Sequence, residues 1–165
     1  MNKSTGLRYK ASLEFLKKHI SFDDVITELG ERNNLTELLL SEGYRIVNTS
    51  GDLDYGFDCK TDAIIAFQIF EHMFAPFNIL DKNRGKLVCS VPLRLWFSKE
   101  YWNYNDKRDC HYHEFSVRQF NHLLERTGWK IVDKKICNFS TFKIGIRPFL
   151  RLLYPRYYFV YAEKN

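Results

Sequence analysis

The sequence lacks closely spaced cysteines. Its four cysteines, Cys59, Cys89, Cys110 and Cys137, are scattered through 165 residues, and no CxxC pair occurs. That excludes a zinc ribbon or a thioredoxin-like site. Cys89 and Cys137 sit inside apolar runs, which predicts buried thiols, and a chain this long needs no disulfide framework. Long apolar runs are missing as well: none approaches the roughly 18 residues of a membrane-spanning helix. The N-terminal stretch MNKSTGLRYKASLEFLKKH is polar and periodic, without the continuous apolar segment of a secretory leader. The expectation is therefore a reducing, cytoplasmic compartment. There is no internal repeat and no low-complexity tract.

What is present suits one folded unit. Hydrophobic residues make up 45% of the chain, enough for a core, and charged residues 27%, enough for a soluble surface. A chain of roughly 100–200 residues is most simply one domain, so a single domain over residues 1–165 is expected. The net charge of +5 is unevenly placed. Between 143 and 156 lie Lys143, Arg147, Arg151 and Arg156, with no acid among them. Such a stretch is read as a solvated loop or as a contact for an anionic partner such as phosphate, nucleic acid or a lipid headgroup. Its two prolines and Gly145 break it too often for a long amphipathic helix, so apolar residues on the core with cations at the rim are expected.

Leu7, Ala11, Leu13, Phe15 and Leu16 fall near one helical face, predicting an amphipathic helix over 7–19. A strand is expected at Asp24–Leu29. Asn34 and Glu37 have the spacing of a capping box, opening a helix that stops at Gly43. Tyr44–Thr49 reads as the next strand, which completes a βαβ unit and implies a parallel sheet. Further strands are expected at Asp62–Phe67, Lys86–Val91, 129–137 and Tyr157–Ala162. A helix is expected over about 74–82, and another begins at the Ser116/Gln119 box and ends at Gly128. Residues 50–60 and 93–115 read as irregular. In an open α/β sheet, ligands bind beyond the carboxyl ends of the strands. That singles out Glu28–Asn34, Thr49–Asp54, Phe67–His72 and Val91 onward.

Those segments resemble the class I S-adenosylmethionine-dependent methyltransferases. ITELGERNN stands in the place of the family's acidic, glycine-rich first motif. DAIIAFQIFEHMFAPFNIL resembles the fourth-strand motif with its Glu-His pair. DKNRGKLVCSVP resembles the turn and fifth strand, and HYHEFSVRQFNHLLERTGWKIV the His-x-x-x-Phe-Ser segment with its helix. The resemblance runs from about residue 22 to the end. It implies an α/β, Rossmann-like open sheet, mostly parallel with a final antiparallel strand and helices on both faces. The version is compact, because the usual helix and strand after the second strand have no room.

The resemblance also implies site residues. Glu28 and Gly30 match the first motif, but Arg32 and Asn34 stand where the family has its second and third glycines. Arg32 would crowd the cofactor's methionine end unless its side chain turns away, whereas asparagine tolerates left-handed backbone. The cofactor-binding set is Glu28, Gly30, Asn34, Asp52, Asp54 and Gln68. Asp52 or Asp54 would take the ribose, although both also suit turns. Gln68, Glu71 and His72 lie at i, i+3 and i+4, and His111 and His113 follow later. In small-RNA 2′-O-methyltransferases and ubiquinone-pathway O-methyltransferases, similar positions bind a divalent metal. The corresponding set here is Glu71, His72 and His113, which equally suits a hydrogen-bonded network. His72 and His113 are the candidate general bases.

The function this implies is methyl transfer from S-adenosylmethionine to a hydroxyl or similar nucleophile of a small molecule or sugar, with 95–104 (LWFSKEYWNY) lining the acceptor pocket. The alternatives are a non-catalytic relic, discriminated by whether Arg32 fills the loop, and an RNA methyltransferase whose interleaved aromatics and cations stack bases. The oligomeric state is not legible.

Overall fold

Strands apolar on both sides require a sheet covered on both faces, and the central strands here are of that kind. The computed structural model describes residues 3–139, 149–150 and 153–165. Six strands form one sheet: β1 (Val25–Glu28), β2 (Arg45–Asn48), β3 (Ala63–Phe67), β4 (Gly85–Pro92), β5 (Lys130–Cys137) and β6 (Tyr157–Lys164). Their order is β2-β1-β3-β4-β6-β5. The β1–β2, β1–β3 and β3–β4 pairs are parallel, while β6 runs antiparallel to both β4 and β5. The open, mostly parallel sheet with an antiparallel last strand is thus present.

Alternate residues of each strand face opposite sides. Ala63, Ile65, Val88, Tyr157, Phe159 and Tyr161 pack against α1 (Lys3–Leu16) and α2 (Asn34–Ser41). Their neighbours Ile64, Ala66, Leu87, Cys89, Tyr158 and Val160 pack against α3 (Pro76–Lys82) and α4 (Val117–Arg126). Phe15, Leu16 and Leu39 on one face, and Phe120 and Leu124 on the other, are fully buried. Leu7, expected on the buried face of α1, is exposed.

Several boundaries move for local reasons. Asp24 stays outside β1 because its carboxylate accepts from the Ser21 amide and from Lys86. Asp62 stays outside β3 because its carboxylate takes the first amide of β1, that of Val25, at 2.8 Å. The residue capping α2 is Asn33, not Asn34: its backbone is extended, its side chain accepts from Leu35 and Thr36, and Thr36 returns the bond. Glu37, expected in that box, instead pairs with Arg32. Residues 50–60 contribute only a short 3₁₀ turn, Leu53–Tyr55, so β2 is an edge of the sheet. The Ser116/Gln119 box is present on α4. Among the described residues no helix is long and apolar enough to cross a membrane. Most of the basic stretch at 140–156, including Lys143, Arg147 and Arg151, lies outside the described residues.

Candidate active site

The carboxyl ends of β1, β3 and β4 open onto one cavity. Because β6 is antiparallel, its first residue, Tyr157, reaches the same edge and stands opposite Pro92 in the β4–β6 register. The cavity has a volume of about 620 Å³, within the roughly 300–1,000 Å³ common for small-molecule and cofactor sites. Its wall runs from Glu28, Leu29 and Asn33 through Gln68, Glu71 and His72 to Tyr101, His111 and Tyr157.

The loop after β1 is held by short polar contacts. The Glu28 carboxylate is buried and accepts from Thr36 Oγ1 at 2.6 Å and Asn48 Nδ2 at 3.0 Å. These bonds fasten β1 to α2 and β2. Gly30 takes a φ of +98° and donates its amide to Thr49 Oγ1 at 2.7 Å. A Cβ at Gly30 would lie 3.3 Å from Ile69 Cδ1, so glycine serves both the left-handed backbone and the close approach. Arg32 turns away from the loop and grips Glu37 on the exposed face of α2. Nothing of Arg32 lines the cavity. Asn33 lines it, whereas Asn34 is exposed as the first residue of α2.

The other expected cofactor residues are placed unevenly. Gln68 is on the wall with a φ of +60°, its amide donating to the Ser90 carbonyl and its side chain to Ser90 Oγ. A non-glycine residue in that region is uncommon and costs energy. Asp52 and Asp54 are not on the wall. Asp54 accepts from the amides of Phe74 and Ala75 and so pins the entry to α3. Asp52 accepts the Asp54 amide through one oxygen.

A cluster of titratable groups sits beyond β3. Glu71 is 1% exposed, and its Oε2 has no hydrogen-bond partner. Burial pushes its carboxyl up to about 8. His72 Nδ1 lies 3.0 Å from the Cys110 carbonyl oxygen. A carbonyl only accepts, so Nδ1 carries the hydrogen, and in the neutral ring Nε2 presents its lone pair. That Nε2 is 3.9 Å from Glu71 Oε1. The ring of His111 meets that of His72 edge-on, with centroids 4.9 Å apart. Burial, and secondarily the charge of His72, depresses His111 to about 4.

The partner that joins Glu71 and His72 is therefore His111. One ligand atom from each of the three lies within 4.8 Å of the others. His113 faces elsewhere: its Nε2 is 3.2 Å from the Phe74 carbonyl and its ring stacks on Phe115. Both histidines precede an aromatic residue closely enough for either to be chosen. The spacing that distinguishes them is His-x-x-x-Phe-Ser, whose histidine is His111. A buried unpartnered carboxylate oxygen, a histidine oriented through its second nitrogen and a neutral histidine fit a divalent ion. When bound, such an ion would lower the pKa of a nearby hydroxyl.

Leu95, Ser98, Lys99, Glu100 and Tyr101 line the cavity, as expected of the 95–104 segment, while Trp96 and Tyr104 are 72% and 90% exposed. Arg156, from the basic stretch read as a solvated loop or an anion contact, lines the wall; sequence reasoning gave no sign that α1 supplies wall residues, yet Arg8, Tyr9 and Ser12 do so. These contacts join segments far apart in the chain, and no local pattern marks them.

No protein-family model matches the chain, and no curated protein matches it in sequence. Solved structures do match. The 1,6-didemethyltoxoflavin N1-methyltransferase of Burkholderia thailandensis, bound to 1,6-didemethyltoxoflavin and S-adenosylhomocysteine, superposes with a TM-score of 0.65 at 16% identity, over 96% of this chain and 78% of its own. An S-adenosylmethionine-dependent methyltransferase of Mesorhizobium loti gives 0.60 at 14% identity, over 93% and 98%. The [4+2]-cyclase SpnF gives 0.59 at 10% identity, over 94% and 80%. The fold is that of the class I S-adenosylmethionine-dependent methyltransferases. A cyclase on the same fold shows that reaction must be argued from the site.

Proposed function

We propose that the chain is an S-adenosylmethionine-dependent methyltransferase acting on a hydroxyl or similar nucleophile of a small-molecule acceptor. The observation that carries this reading is one cavity bordered by both the loop after β1 and the Glu71, His72 and His111 cluster. The first could seat a cofactor, the second could take a proton. Arg32, which would block the loop if it turned inward, points outward, and that favours a binding-competent loop over a relic.

When bound, the cofactor supplies an activated methyl group on a sulfonium. Glu28 keeps the loop in place, Gly30 allows backbone to approach the ligand, and Gln68 and Asn33 offer polar groups from the wall. Asp52 is better suited than Asp54 to accept from a ribose, because both oxygens of Asp54 already serve the entry to α3. Asn34 would reach the cofactor only through the backbone of the first helical turn. His72 Nε2 would take the proton of the acceptor's hydroxyl or amine as that atom receives the methyl group the bound cofactor would supply. His113 supports this site only indirectly, by fixing the segment that carries His111. Alignment of the two reactants supplies most of the acceleration.

The test is incubation with methyl-labelled S-adenosylmethionine and a panel of small phenols, sugars and heterocyclic amines. Label transferred to a panel member supports the reading. Cofactor binding with no transfer to any member would reduce the chain to a binding module.

A further inference from the structure

One aromatic ring on the cavity wall is both exposed and held. Tyr101 is 47% exposed and lines the cavity. A side chain that open ordinarily changes rotamer freely, whereas this one is fixed along its length. Its hydroxyl donates to Asp109 Oδ2 at 2.7 Å, and Asn103 Nδ2 donates to that same oxygen at 3.0 Å. Its carbonyl accepts the His111 amide at 3.1 Å. Its ring leans on that of His111, with centroids 4.9 Å apart and planes at 49°. The loop between them is closed by Cys110, whose buried thiol donates to the Asn103 carbonyl at 3.4 Å. The Cys110 carbonyl in turn accepts from His72 Nδ1. Tyr101 therefore stands in a fixed relation to the Glu71, His72 and His111 cluster.

Holding an exposed side chain in one rotamer costs entropy, and a ring left open to water gains little from burial. A ligand that covers the ring offsets both, and it binds more tightly because the ring is ordered beforehand. The hydroxyl is committed to Asp109, so the surface Tyr101 offers to the cavity is the carbon of its ring. The other tyrosines of the wall are placed differently. Tyr157 is buried, and the guanidinium carbon of Arg8 lies 5.9 Å from the ring centroids of both Tyr9 and Tyr157. A flat π-surface is matched by another flat ring in an offset stack, with centroids roughly 4.5–7 Å apart. The rings of Tyr101 and His72 each lie 4.9 Å from that of His111. A ring stacked on Tyr101 thus has its edge within reach of the histidine that could take a proton.

We propose that Tyr101 is a stacking platform for the methyl acceptor, and that the acceptor is a planar aromatic ring bearing the hydroxyl or amine to be methylated. This rests on the methyltransferase reading and narrows its acceptor to aromatic small molecules.

The test titrates 2-naphthol and its saturated counterpart, decahydro-2-naphthol, separately into the full chain by calorimetry, with and without saturating S-adenosylhomocysteine. The two probes share a hydroxyl and a carbon skeleton and differ in planarity and π-character. Wild type is compared with Tyr101→Leu, Tyr101→Phe and a control, Phe22→Leu, which removes an exposed ring just before β1, at the amino end of the sheet. Wild type and the control should bind 2-naphthol roughly fivefold or more tightly than the saturated alcohol, the scale of an aromatic pair beyond its buried area. Tyr101→Leu should abolish that preference by weakening 2-naphthol alone, and Tyr101→Phe, which keeps the ring, should retain it. S-adenosylhomocysteine should leave the preference in place. Equal affinities for the two alcohols in wild type, or no binding of 2-naphthol, overturn the proposal, as does a preference that survives in Tyr101→Leu. Displacement of 2-naphthol by S-adenosylhomocysteine also overturns it, because the ring would then serve the cofactor's adenine. If S-adenosylhomocysteine does not bind while the preference still depends on Tyr101, the stacking site stands and the methyltransferase reading fails. Should Tyr101→Leu lose its circular dichroism signature, Tyr101→Gln takes its place with the same expectation, because its amide can still donate to Asp109 but it has no ring.

Discussion

The imidazole of His72 donates its Nδ1 hydrogen to the carbonyl oxygen of Cys110 at 3.0 Å. That bond ties the turn after β3 to the irregular segment before α4. It also selects the tautomer whose Nε2 lone pair can take a proton, beside the buried carboxyl of Glu71. A histidine held this way is suited to general-base work.

Replacing His72 with Ala should therefore lower turnover by roughly 10²-fold or more, the usual contribution of a general base. The Kd for S-adenosylhomocysteine should change little. Steady-state kinetics beside calorimetry separates the two effects. Parallel losses of activity and melting temperature would instead assign His72 a structural role.

Glu71 and His111 make opposite contributions to stability as pH changes. The Glu71 carboxyl is raised to about 8 from 4.5, so its contribution is complete below 4.5 and is lost as pH rises through 8. His111 is lowered to about 4 from 6.5, so its contribution is complete above 6.5 and is lost as pH falls through 4. The two slopes oppose each other below about pH 6.5 and leave Glu71 alone above it. With chelator present, wild type should lose up to about 1.4 kcal/mol of stability per pH unit between pH 6.5 and 8. Glu71→Gln should be flat over that interval, and urea unfolding at stepped pH reads the difference. An equal slope in both proteins would place the titration elsewhere.

The two later histidines should separate in metal binding. Titrating Mn²⁺ while following its electron paramagnetic resonance signal should show an ion bound by wild type and by His113→Ala. His111→Ala and Glu71→Gln should not bind it. Dependence on His113 rather than His111 would contradict the observed cluster.

Much of this architecture was legible in the sequence, and particular residues show why. The apolar strands at 63–67, 86–91 and 157–162 need cover on both faces, which only an α/β sheet with helices on each side provides. The Ser116/Gln119 box is a local signal and fixed the start of α4. Local signals also misled. Asn33 and Asn34 are adjacent potential caps, and the choice between them depended on Thr36 and on Arg32 drawing Glu37 away, both matters of side-chain geometry. Glu71 and His72 were legible as a pair from their motif. Their joining with His111, and the presence of Arg8 and Arg156 on the same wall, depend on the packing of α1, β6 and the 93–115 segment. Those contacts are long-range, and sequence periodicity carries no record of them.

Isothermal titration of the full chain with S-adenosylhomocysteine measures directly whether the loop after β1 admits a cofactor. Saturable one-to-one binding is predicted. Because the Arg32 side chain lies on Glu37 outside the cavity, Arg32→Gly should bind within about twofold of wild type, as expected for a change in an exposed ion pair. Absence of binding in both proteins at millimolar ligand would contradict the methyltransferase reading. Binding that appears only in Arg32→Gly would show that the arginine closes the loop.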